Sequence, residues 1–402
     1  MQAQAMVGVV DVSKLLPDGV LPPHVVDMYA QRSPALGMPR SYVGKSATCS
    51  YIEWAERLFG TECLDYLPWG PVFPYVPHPN VFEVGRPPFS KAYARFMTKA
   101  RSKAWFSRKV QQGYLRLPLV PGTKVVPVGE AFDAVVKMLE RCQAVCVRFG
   151  DNADGGYGLG FFERDEWKRL RAFLRMCSSA EVVVAPKRDV KRVLGVGVLG
   201  NMVIPPNSNI IAEDGSCIGV TWPNPVMLRK GTPLWLLKAL WYGVVFSAFI
   251  RKNLGEEELI YANLDLIGGG GPFVTEANAQ ETMGSLTARA AHRVAKVAGA
   301  YSGSFPQFFK GMAWGHNGFA VISNDKIACL GHNDFGTVAD CLIAHGVLPF
   351  DGEYGWYPGH DVTDFGSGRK VGLGFVCKAV NSSKAFAKCE ELYEKGVAVL
   401  AG

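Results

Sequence analysis

Apolar residues recur at helical spacing after Glu130, with Phe132, Val135, Val136 and Leu139 on one face, and predict a helix over 131–141. The apolar run AVCVRF predicts a buried strand over 144–149. Further strands are expected at 159–162 and 181–185, with a helix over 164–177 between them. Residues 194–204 and 210–220 read as two more strands, the second turning at Asp214-Gly215. A long helix is expected over 233–253. Its apolar stretch from Leu234 to Ile250 carries Lys238 inside and is short for a bilayer span, so a buried helix is expected. Residues 260–267 and 272–277 predict a hairpin around Gly268–Gly271, followed by a helix over about 287–299. Strands and helices alternate but hairpins intervene, which makes the class α/β in the mixed α+β sense.

Charge changes the picture upstream. From Val84 to Gly129 there is no Asp or Glu, yet ten Lys and Arg residues. Of those between Lys91 and Lys103, Lys91, Arg95, Lys99 and Lys103 lie four apart, so a helix could show them on one broad face. A solvated face, a phosphate contact and nucleic-acid binding all fit that pattern. Tyr93, Phe96, Trp105 and Phe106 interleave with the charges and are expected in the core. The first 90 residues are rich in proline and aromatics and read as an irregular lobe. Gly44-Lys45-Ser46 is no phosphate loop, because Pro39 stands where that motif needs glycine.

Of 402 residues, 48% are apolar and 20% charged, which excludes a largely disordered chain. The net charge of +7 suits an anionic ligand without choosing one. Ten cysteines are scattered without a C-x-x-C pair, the pattern of reduced thiols, so a cytoplasmic location and no membrane partner are expected. The N-terminus lacks a signal-peptide pattern. His316, His332, His345 and His360 are irregularly spaced, so no zinc site is expected.

The segment ANLDLIGGGGPFVTEANAQETMGSL, residues 262–286, carries the candidate chemistry. Asn263 and Asp265 are two apart on one strand, and Glu276 and Asn278 two apart on the next. The glycine turn sets these strands side by side. Two carboxylates and an amide oxygen are hard ligands that suit Mg2+ beside phosphate better than zinc. A polar, solvent-facing hairpin is the alternative.

This hairpin resembles the C-terminal metal-binding hairpin of the ATP-grasp ligases, which carry an acidic residue, a turn and E-x-N. The likeness is greatest to D-alanine–D-alanine ligases and to amino-acid and peptide ligases. EVVVAPKRDVKRVLGVGVLGN resembles that family's hinge strand and the strand after it, and VCVRFGDNADGGYGLGFF its glycine loop between two strands. The three blocks span about 145–290 and come in the family's order.

The resemblance implies two α/β lobes sandwiching ATP, preceded by an N-terminal lobe of the pre-ATP-grasp kind. Its boundaries are 1–110, 111–190 and 191–402. It implies Mg2+ on Asp265, Glu276 and Asn278, and ATP contacts from Lys103, Arg148, Gly155, Gly156, Gly158 and the hinge at Val184, Ala185 and Pro186. The reaction implied is ADP-forming amide or peptide bond formation from small-molecule carboxylate and amine substrates through an acyl phosphate. A homo-oligomer is compatible with it, and no nucleic acid is required. Gly284 and Ser285 resemble a substrate-anion site at a helix start.

Arg148 stands where the family has lysine, Ala185 where its hinge often has glutamate, and Gln280 where many members place arginine. Gln280 cannot supply that charge, and Arg289 or Arg293 would compensate if the following helix faces the cleft. These departures and the basic block keep open a second class: a non-catalytic or RNA-associated protein that retains the nucleotide fold.

Overall fold

The structure, a computed structural model, describes residues 48–60, 96, 99–100, 102–150, 158–190, 192–199, 202–204, 206–212, 217–224, 233–254, 261–268, 271–278, 283–313, 318–364 and 368–402. The Gly44-Lys45-Ser46 stretch, the Asp214-Gly215 turn and most of the first 95 residues lie outside them.

The first described helices are α1 (Cys49–Phe59) and α2 (Lys103–Gln111). The N-cap side chain of Ser102 accepts from the Trp105 amide and fixes where α2 begins, with Lys103 as its first residue. A four-stranded antiparallel sheet follows, in the order β1 (Lys124–Pro127), β4 (Glu181–Pro186), β2 (Ala144–Phe149), β3 (Leu159–Glu163). Val145, Val147 and Phe149 point to one face. There they bury with Val182, Val184 and Phe162 against helices α3 (Ala131–Leu139) and α4 (Trp167–Arg175). Cys146, Arg148, Val183 and Ala185 take the other face. The helix expected over 164–177 starts later, because Asp165 turns with a φ of 77°.

The second sheet opens with β5 (Arg192–Leu199), β6 (Met202–Val203), β7 (Asn207–Ile211) and β8 (Cys217–Trp222). The strand expected over 194–204 is thus two strands, and the one over 210–220 is the facing halves of a pair. After α5 (Pro233–Leu254) come β9 (Tyr261–Gly268), β10 (Pro272–Asn278), α6 (Met283–Val297) and α7 (Phe305–Ala313). The last ninety residues add β11 (Phe319–Ala328), α8 (Phe335–Ala344), β12 (Tyr354–Asp364), β13 (Arg369–Lys378) and α9 (Ser382–Ala401). The strand order is β10-β9-β5-β7-β8-β11-β13-β12, with β6 beside β5. The C-terminal strands therefore extend the same sheet. Two α/β units result, one on each sheet.

One face of the large sheet buries Leu194, Val196, Leu264, Leu266, Val274 and Ala277 against α5. α5 is not the wholly buried helix expected. Leu236, Ala239, Phe246 and Ile250 face inward, whereas Leu234, Leu237, Trp241 and Val244 are 68%, 56%, 61% and 43% exposed. It rests on the sheet by one side, and its apolar character all round hides which side that is.

Helix α2 packs against β1, β2 and β4 of the small sheet and against β10 of the large one. Phe106 and, beyond the helix, Leu115 and Leu117 enter the cluster beneath the large sheet, while Arg108 pairs with Glu181 of the small one.

Candidate functional site

The polar face of the large sheet is laid out by strand register. Gly195 on β5 pairs with Asn207 on one side and Asp265 on the other, and Asp265 pairs with Glu276. Asn263 pairs with Asn278. Asn207, Asp265 and Glu276 thus stand in one row across the sheet, with Asn263 and Asn278 in the adjacent row. A bulge between Val274 and Glu276 makes this possible. Strict alternation along β10 would put Val274 and Glu276 on the same face. The extra residue, Thr275, lets Val274 and Ala277 both enter the core while Glu276 and Asn278 face the polar side.

The carboxylate of Asp265 accepts from Asn263 Nδ2 at 2.8 Å and from Asn278 Nδ2 at 2.6 Å. Burial, with the adjacent Glu276 charge, pushes the Asp265 carboxyl up to about 8. Burial also opposes the charge of Glu276. The Lys103 ammonium and Arg148 guanidinium more than offset it, and hold that carboxyl below its usual value. Lys103 Nζ lies 2.9 Å from Glu276 Oε2. Arg148 Nη1 donates to the Thr275 carbonyl at 2.5 Å. A bulge residue lacks its full ladder pairing, so this carbonyl is free for a side chain. The structure therefore brings Lys103, Arg148, Asp265, Glu276 and Asn278 together.

Other expected residues are used differently. Gly155, Gly156 and Gln280 lie outside the described residues, as does the Ser285 side chain. Gly158 has φ +78°, and a Cβ there would sit 2.5 Å from the Phe149 ring; its carbonyl accepts from the Phe149 amide. It closes the strand pair on itself. Val184 turns its side chain into the small-sheet core. Ala185 lies on the opposite face, with Arg148, and pairs with Cys146, and Pro186 pairs with Val145 at the strand end. Arg289 lies 4.7 Å over the Phe305 ring, and Arg293 donates to the Phe59 carbonyl. Both arginines thus make packing contacts of α6.

Gly284 falls inside the first turn of α6, because the helix starts at residue 283 instead of 287. Its carbonyl accepts from Trp222 Nε1 at 2.8 Å, and a Cβ on it would collide with the Asn207 amide oxygen. Asn207 is 4% exposed and wedges between Gly195 and Gly284. Sequence reasoning missed it. The strand begins three residues upstream of its expected start, and N-S-N carries no apolar alternation that would have signalled it.

No family model and no curated protein matches the chain. Solved structures resemble it at low identity. One is an ADP complex of purK, N5-carboxyaminoimidazole ribonucleotide synthetase, at 14% identity over 75% of this chain and 72% of that one, with a TM-score of 0.48. Another is N5-carboxyaminoimidazole synthase from Aspergillus clavatus in complex with ADP and 5-aminoimidazole ribonucleotide, at 11% identity, 75% coverage of each chain and a TM-score of 0.49. A third is the D-cycloserine synthetase DcsG, at 16% identity over 51% of this chain and 72% of that one, with a TM-score of 0.37.

Proposed function

We propose that the protein is an ATP-dependent, ADP-forming ligase that joins a small carboxylate to an amine, acting between the two sheets. The observation that carries this reading is the convergence of Asp265, Glu276 and Asn278 on the large sheet with Lys103 and Arg148 from the opposite side. The donor set fits Mg2+: two carboxylates, and an amide whose nitrogen is engaged by Asp265, leaving its oxygen for an ion. Among the described residues no three His, Cys, Asp or Glu side chains cluster, so amide oxygen completes the set. When bound, such an ion neutralises phosphate oxygens.

The chain's own residues supply position and charge. Lys103 and Arg148 place fixed positive charge where a phosphoryl group would pass between sheets. A substrate carboxylate oxygen bonds to the γ-phosphorus as the bond to ADP breaks. The amine then bonds to the acyl carbon, phosphate leaves with the C–O electron pair, and the amine gives up a proton. The first turn of α6, held by Trp222 and seated against Asn207, offers backbone N–H groups to a substrate anion. An amino acid or small peptide as substrate, and a cytoplasmic location, belong to this reading.

ADP release from ATP is measured with panels of carboxylates and amines. Glu276→Gln, which removes a charge and keeps the volume, lowers it by about 100-fold while leaving the fold intact. Full turnover in folded Glu276→Gln protein would remove the metal assignment. Absence of ADP release with every pair would remove the ligase reading.

A further inference from the structure

Lys103 is 8% exposed, and its ammonium sits directly on Glu276, the carboxylate assigned to the metal. Arg148 stands on the same side and already holds the neighbouring Thr275 carbonyl. The Glu276 charge is therefore balanced by protein cations. A divalent ion entering this arrangement would add two positive charges beside two that are already there, in a setting where little water screens them.

We propose that Lys103 is an internal placeholder cation. It holds the Glu276 seat in the metal-free protein and must leave it before a divalent ion can bind, becoming available to phosphate as it goes. This rests on the metal reading above. The placement of Lys103 supports it. As the first residue of α2, next to a capped helix start, its long side chain pivots without unwinding the helix. Metal and nucleotide then favour each other's binding, because the phosphates receive the ammonium that the ion displaces. The ion alone binds poorly; with ATP present it binds well.

The probe is Mn2+ alone, titrated without nucleotide and followed by its paramagnetic resonance signal. ATP binding is measured separately in chelator by calorimetry. Lys103→Met is expected to bind Mn2+ about tenfold tighter and metal-free ATP about tenfold weaker. Lys103→Arg keeps the charge and is expected to match the unaltered protein toward Mn2+. A purely structural lysine would move both affinities the same way.

In the unaltered protein, Mn2+ is also expected to raise acylation of the Lys103 amine, read by mass spectrometry. This arm stands even where Lys103→Met fails to fold. Mn2+ affinity unchanged or weakened in folded Lys103→Met, or acylation indifferent to Mn2+, overturns the proposal. Loss of Mn2+ binding in Glu276→Gln, with binding kept in the unaltered protein, upholds the metal site independently. If none of these proteins binds Mn2+, the metal reading fails and the placeholder falls with it.

Discussion

The Asp265 carboxyl is held well above the ordinary carboxyl range, a shift that the pH dependence of stability should register. Its usual value is 3.8, and in the fold burial and the Glu276 charge raise it to about 8. Between those values the native chain binds more protons than the unfolded one. Its contribution to metal-free stability is therefore complete below the lower value and lost as pH rises through the upper. Glu276 is shifted the other way by Lys103 and Arg148, against the effect of burial, and its contribution is lost only in acid. Melting temperatures in chelator are expected to fall from pH 5 to 8, and Asp265→Asn to flatten that slope. Parallel curves for the two proteins would show that Asp265 is ionised throughout. The sequence already revealed these side chains, because polar residues two apart in an apolar strand stand out. It did not reveal Asn207, whose neighbours Ser208 and Asn209 are polar too and hide the strand around it.

Strand β10 owes its chemistry to one surplus residue. Deleting Thr275 would leave Glu276 opposite Asp265 and Asn278 opposite Asn263, since the bulge adds a residue without altering either pairing. It would remove the carbonyl that Arg148 holds. The deletion is expected to fold and to weaken ATP binding about tenfold, the effect of one hydrogen bond to a charged group. Calorimetry checks this, and unchanged affinity would mean that the Arg148 contact is incidental. Such a bulge leaves only a faint trace in an amino-acid sequence: in V-T-E-A-N two polar residues separate Val274 from Ala277, where a regular strand has one. By contrast, AVCVRF is an unbroken apolar run with polar Gln143 before it and a glycine after it, and its expected and observed limits coincide. The C-terminal strands went unread because they bury polar groups. Ser323, Asn324 and Asp325 lie inside β11, and His360 and Asp361 inside β12, so no apolar alternation marks them. His360 sets both ring nitrogens against backbone carbonyls, an arrangement visible only once the strands are paired.

The molecule is two sheets joined by little covalent chain between Pro186 and Arg192, yet they are not independent bodies. Three described members of the basic block have separate partners. Lys103 reaches Glu276, Arg108 reaches Glu181, and Lys109 lies over Trp105 and Tyr114. Composition gave the charges, and only packing assigned them separate tasks. Helix α2 sits between the sheets, with Phe106 fully buried against Phe246 on the far side of the large one. Neither sheet can lose its order without stripping the other of a wall. Scanning calorimetry should therefore record a single endotherm. Phe106→Ala, which removes about 3–5 kcal/mol of packing, should resolve it into two, the small sheet melting apart from the large.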